Sequence, residues 1–137
     1  MSEQAAAAVG AVSGKVRWVL RLEGLALLVA AGVAYQHFGS GWCSFVLWFL
    51  LPDIAFLAYL AGPRWGALAY NTTHATPGAL AVLLFGIFAG GRVWLSAGLI
   101  WLAHIGFDRA LGYGLKYAAG FRLTHLGMIG REKASVA

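Results

Sequence analysis

Four apolar stretches dominate this 137-residue chain, each close to the ~20 residues that a helix needs to cross the hydrocarbon core of a bilayer. They occupy residues 16–38, 42–60, 66–89 and 93–111. Gly39-Ser40-Gly41, Gly62-Pro63 and Gly90-Gly91 lie between them, and turn signals this short set consecutive helices side by side in opposite directions. The expected fold is all-α: a polytopic membrane protein built as an antiparallel four-helix transmembrane bundle. It divides into a mobile N-terminal tail (1–14), the transmembrane domain (15–111) and a short interfacial C-terminal segment with its tail (112–137). Lys15 and Arg17 ahead of an apolar run also outline a signal peptide, but a retained first span is the expectation.

A water-soluble domain of this size buries only about 60 to 70% of the surface that its unfolded chain exposes. With 61% apolar and 11% charged residues, the chain lacks the polar groups to cover the rest, so the lipid bilayer is its expected partner. The lone cysteine, Cys43, excludes a disulfide scaffold and reads as a small apolar filler. Nucleic acid is not expected despite the net charge of +5, because the ten basic residues sit at the ends of apolar stretches instead of in one run. Lys15, Arg17, Arg64, Lys116, Arg122, Arg131 and Lys133 fall on one side of the bundle and Arg92 on the other, which puts both termini in the cytoplasm. Trp42, Trp65 and Trp94 stand at span ends as interfacial anchors.

Three of the five acidic residues, Glu23, Asp53 and Asp108, fall inside spans. A central charge there costs about 2.5 to 3.5 kcal/mol on insertion scales, so each needs a partner or a wet cavity. Arg21, Asn71, His74, His104 and Arg109 join them. Counted at ~1.5 Å per residue along the spans, these groups share the cytoplasmic half of the bilayer. His104 and Asp108 are four residues apart, which sets an imidazole and a carboxylate on one face, with Trp101 on the same stripe. Tyr70, Asn71 and His74 make a polar face on the third span. Arg21 and Glu23, two apart, cannot pair; Glu23 is expected to face the bundle, and Arg21 to reach the headgroups or another helix's carboxylate.

Pro52 and Pro77 add backbone polarity at the same places. Each leaves a carbonyl without its helical donor, that of Trp48 and that of Thr73, and each is expected to kink its helix beside Asp53 or His74. Phe49 and Phe56 share the Asp53 face, so an aromatic-lined pocket open toward the cytoplasm is expected. Glu23, Asp53, His104 and Asp108 are the candidate catalytic residues, with Asn71, His74, Phe49, Phe56, Tyr70, Trp101, Arg21 and Arg109 around a ligand. Each also has a plainer role: Asn71 as interhelical hydrogen-bond glue, Asp108 and Arg109 as an ion pair, either histidine as a satisfied core residue.

The run from His104 through Asp108-Arg109 and Gly112-Tyr113-Gly114-Leu115-Lys116-Tyr117 to Thr124-His125-Leu126-Gly127 resembles the signature of a family of small four-span bacterial membrane proteins catalogued only as a domain of unknown function. Arg21-Leu22-Glu23-Gly24, Leu51-Pro52-Asp53, Ala61-Gly62-Pro63-Arg64 and Tyr70-Asn71 to His74 look like its upstream motifs. The resemblance covers about residues 17–130 and implies a multi-pass protein of the bacterial inner membrane. It implies no substrate, cofactor or mechanism.

Four functions fit this pattern. The first is an intramembrane acid/base enzyme of isomerase or cyclase type acting on a lipophilic small molecule, with Asp53 or Glu23 as the acid and His104, oriented by Asp108, as the base. The second is a haem or metal protein using His74 and His104, although no H-E-x-x-H or Cys-x-x-Cys-His pattern is present. A proton or small-molecule transport module, possible as a homodimer, and a structural accessory subunit complete the set. The cofactor is left open. The segment 112–127 is expected along the cytoplasmic interface, with Lys116 and Arg122 toward anionic headgroups, or folded over the cavity as a lid.

Overall fold

The computed structural model describes residues 10–130, so the mobility expected of residues 1–9 and the side assigned to Arg131 and Lys133 concern residues outside that range. Along the chain come α1 (Gly14–Phe38), α2 (Trp42–Trp48), a 3-10 helix (Leu51–Ala61), α3 (Pro63–His74), α4 (Thr76–Ala89) and α5 (Arg92–Leu111). A two-stranded antiparallel hairpin, β1 (Leu123–Thr124) and β2 (Gly127–Met128), follows, pairing Leu123 with Met128 and Thr124 with Gly127. Gly39 to Gly41, Gly62 and the left-handed Gly90 turn the chain where expected.

The second and third stretches are not continuous α-helices. After Trp48 the backbone passes Leu50 at φ −91°, ψ 4° and tightens into the 3-10 helix, with the Asp53 N–H donating to Leu50 O at 3.1 Å. Pro52 thereby falls in a first turn, where a missing N–H leaves no acceptor stranded within its own helix. Ala75 is extended (φ −90°, ψ 144°) between α3 and α4, and Pro77 likewise sits in the first turn of α4. The prolines divide these stretches where simple kinks were expected, and both breaks leave irregular backbone beside Asp53 and His74.

Three helical stretches, Gly14–Phe38, Trp42–Ala61 and Pro63–Ala89, are long and apolar enough to cross a membrane. The fourth expected span, α5, is not among them. Arg92, His104, Asp108 and Arg109 lower its hydropathy, and ten of its residues are buried, from Ser96 to Asp108. Glycines bring its neighbours into backbone contact. A Cβ on Gly106 would lie 2.6 Å from Leu28 N of α1, and one on Gly98 would lie 2.7 Å from Leu83 Cα of α4. Gly24 meets Arg109 and Ala110 while Ser40 meets Ser96, so residue numbers fall along α5 as they rise along α1.

The chain after α5 folds onto the helix ends. Asn71 grips the backbone of Lys116 from both sides, its Nδ2 donating to Lys116 O (2.8 Å) and its Oδ1 accepting from Lys116 N (2.7 Å). Thr124 and Leu126 are buried. Residues 10–13, expected within the mobile tail, are tied to this segment: Val12 N donates to His125 O and Tyr117 Oη to Gly10 O. Cys43 is exposed at the surface and fills no core space.

Candidate functional site

The helix breaks and the central helix bring four side chains to one point. Asp53 comes from the first turn of the 3-10 helix, His74 from the last position of α3, and His104 and Asp108 from successive turns of α5. One ligating atom from each lies within 4.8 Å of all the others. His74 Nε2 is 3.1 Å from His104 Nε2, 3.3 Å from Asp53 Oδ1 and 3.4 Å from Asp108 Oδ2. His104 Nε2 is 3.4 Å from Asp53 Oδ1 and 3.8 Å from Asp108 Oδ2. Both imidazoles are buried, whereas the Asp53 side chain remains 33% exposed.

The proton on His74 is placed by its neighbours. Nδ1 is 2.9 Å from the carbonyl oxygen of Tyr70, which can only accept, so Nδ1 carries the hydrogen. The Thr73 hydroxyl, 2.8 Å away, can accept from the same N–H while donating its own proton to the Tyr70 carbonyl at 3.0 Å. Neutral His74 therefore turns the Nε2 lone pair toward His104 Nε2 and two carboxylate oxygens, an arrangement that is repulsive unless a positive centre, such as the hydrogen of a His104 Nε2–H, stands among them. A proton or a metal ion supplies it. For a tetrahedral ion bound at about 2.0 to 2.2 Å, neighbouring ligand atoms lie about 3.3 to 3.6 Å apart; five of the six separations here run from 3.1 to 3.8 Å, and the sixth, between the two carboxylates, is within 4.8 Å.

Surrounding groups hold the four in place. The Tyr70 ring stacks on His74 at 3.8 Å between centroids, and its hydroxyl donates to Asp108 Oδ2 at 3.2 Å. Phe49 packs edge-on against His104. Trp101 Nε1 donates to Thr73 O, which is the carbonyl that Pro77 leaves free. His104 Nδ1 is buried without a hydrogen-bond partner.

Several expected members stand elsewhere. Glu23 is exposed, because Gly24, its neighbour ~100° around α1, is the residue that packs against α5. Arg21 finds a backbone carbonyl, Ala110 O at 2.8 Å, where the headgroups or a carboxylate were expected. Arg109 donates to His74 O (3.0 Å) and Tyr113 O (3.3 Å), so it caps the end of α3 and forms no ion pair with Asp108. Asn71 serves the C-terminal segment, as described. Phe56 lies against Tyr70, and neither it nor Phe49 lines the cavity of about 600 Å³ beside the cluster, which runs away from the terminal end toward Ser40, Trp94 and Ser96.

Lys116, expected to face headgroups, is buried. Its ammonium donates to Phe121 O (3.1 Å) and sits 3.3 Å from the Phe121 ring centroid, 4.7 Å from that of Tyr70 and 5.0 Å from that of Phe56. Burial pushes its pKa down to about 8, against the pull of Asp108 and Asp53. The fold of residues 112–128 over the 3-10 helix and α3 assembles this cage; its one trace in the sequence is a lysine among closely spaced aromatic residues. His125 is likewise lowered by burial and by Arg109, and its Nδ1 accepts the Leu115 N–H at 2.8 Å.

The profile of the family described as domain of unknown function (DUF4260) matches residues 17–129, and the chain belongs to that family. No curated protein and no solved structure matches it.

Proposed function

We propose that the protein is an antiparallel four-helix transmembrane bundle of the bacterial inner membrane, with both termini cytoplasmic, that holds a divalent transition-metal ion at His74, His104, Asp108 and Asp53. The metal serves acid/base chemistry on a lipophilic small molecule. One observation carries this reading: two imidazole nitrogens and two carboxylate oxygens from three separate segments meet within 4.8 Å, five of their six separations between 3.1 and 3.8 Å, with the His74 tautomer fixed for coordination. Imidazole with carboxylate in that geometry suits zinc first. A haem is disfavoured, because its two axial histidines stand on opposite faces of a flat ring, whereas here the Nε2 atoms are 3.1 Å apart and two carboxylates fill the space around them.

The basic residues at the terminal end support the orientation. The exposure of Asp53, beside three more enclosed partners, supports its assignment as the group that exchanges place with a substrate or water. His74, His104 and Asp108 would hold the ion, which would supply activation of a bound water, and Asp53 would be placed to accept a proton. A metal-free version of the same chemistry draws support from the Tyr70 hydroxyl on Asp108, a donor that would steady the carboxylate between two proton transfers.

Native mass spectrometry of the full chain, released from detergent micelles, separates the two. The metal reading predicts one added divalent ion in the wild type that is lost in His74→Ala and His104→Ala. A bare chain after purification with added zinc contradicts it and leaves the metal-free version.

A further inference from the structure

The cavity of about 600 Å³ is bounded at one end by Pro52, Thr73 and Trp101 and at the other by Ser40, Trp94 and Ser96. Its inner end stops one residue short of the cluster: Pro52 precedes Asp53 and Thr73 Oγ1 touches His74 Nδ1, while none of the four cluster side chains lines the cavity itself. Trp94 to Trp101 covers ~10 Å of α5, so the cavity lies along that helix and ends within a turn of His104. It lies beside the break at Phe49 and Leu50, where α2 gives way to the 3-10 helix and Trp48, Leu51 and Pro52 line the cavity. No charged group lines it. The hydroxyls of Ser40 and Ser96 are bonded to each other at 2.8 Å, and that of Thr73 faces carbonyls and His74. Ser44, Trp48 and Trp94 add one hydroxyl and two indole N–H groups to walls that are otherwise apolar, and the volume suits one ligand of drug size, well short of a two-chain lipid.

We infer that this cavity seats the single hydrocarbon chain of an amphiphile whose polar end is presented to Asp53, the exposed member of the cluster. The inference names the substrate class of the proposed metal centre and rests on that reading. The tail occupies the apolar channel toward Ser40 and Ser96, and the reacting group lies where Pro52 and Thr73 meet the cluster. Selectivity follows from the shape: a chain enters, and charge or a second chain is excluded.

The test uses the full chain in phosphatidylcholine nanodiscs with added zinc and a lauryl alcohol carrying a terminal diazirine. After illumination, peptide mapping is expected to find the label on residues around Trp94, Ser96 and Ser40. Ala97 lines the cavity from an exposed position, so Ala97→Trp fills it without entering the core, and labelling should fall about tenfold or more. Val93→Trp, at a 73% exposed lining position, serves if the first variant does not fold. Labelling spread over lipid-facing residues such as Val46, Leu60 and Phe88 and unchanged in the filled variants would overturn the inference. So would equal labelling of the cavity by a diazirine phosphatidylcholine. Metal content of the same samples keeps the two readings apart: cavity labelling without metal upholds the chain pocket and overturns the metal centre, while metal without cavity labelling does the reverse.

Discussion

His74 Nε2 and His104 Nε2 face each other at 3.1 Å, on helices whose residues are 30 apart in sequence, with a carboxylate on either side. Two like nitrogen atoms hold such a distance only with a proton or a metal ion between them and the acids. Because the His74 Nδ1–H is committed to Tyr70 O, that proton or ion lies on the Nε2 side, as the hydrogen of a neutral His104 or as a bound cation.

Tyr70→Phe keeps the ring stacked on His74 and removes only the hydroxyl that donates to Asp108. Loss of an outer partner of this kind costs about 10 to 100-fold in metal affinity. Zinc titration against a competing chelator is expected to show that loss with unchanged unfolding temperature; equal affinity would remove Tyr70 from the site's support.

Lys116 makes stability depend on pH. Its pKa lies near 8 in the fold against an ordinary 10.5, so between those values the unfolded chain holds the proton that the folded chain has shed. The penalty is complete below about pH 8 and is relieved as pH rises toward 10.5, so this residue makes stability increase across that window. In Lys116→Met the rise should vanish relative to wild type in thermal melts at stepped pH. Parallel curves for the two proteins would show that the ammonium is not held in the cage.

Two glycine substitutions separate close packing from open surface. Gly106→Ala drives a methyl to within 2.6 Å of Leu28 N and should destabilise by about 1 to 3 kcal/mol, whereas Gly32→Ala meets nothing within 4 Å and should be neutral or better. Denaturant titration in micelles reads both. Equal effects would contradict the α1–α5 crossing.

Asn71→Ala removes both hydrogen bonds to the Lys116 backbone and nothing from the His/Asp cluster. Faster amide exchange is expected across residues 113–128, with metal content retained. Unchanged protection there would mean that the segment is held by other contacts.

Much of the site is legible in the sequence because lipid makes polarity conspicuous. Asp53, His74, His104 and Asp108 stand out as costly residues in apolar runs, and the spacing of four between His104 and Asp108 puts them on one face whatever the helix packs against. The carbonyl freed by Pro77 also signals a donor, which turns out to be Trp101. Glu23 misleads because a helix nearly apolar all round has no pattern to say which face packs; Gly24, which lets α5 approach, decides it. The aromatic cage of Lys116 depends on a hairpin too short to leave a periodic signal. The 3-10 run from Leu51 to Ala61 packs against α3, where Tyr59 lies over Gly66, a contact that no local pattern announces.

The central claim is that the cluster coordinates a metal ion, and X-ray absorption at the zinc edge of the loaded full chain tests it most directly. The account predicts a shell of four nitrogen and oxygen ligands at about 2.0 to 2.1 Å, with outer scattering from two imidazoles that halves in His104→Ala. A spectrum of hydrated zinc, or one identical in wild type and variant, would contradict it.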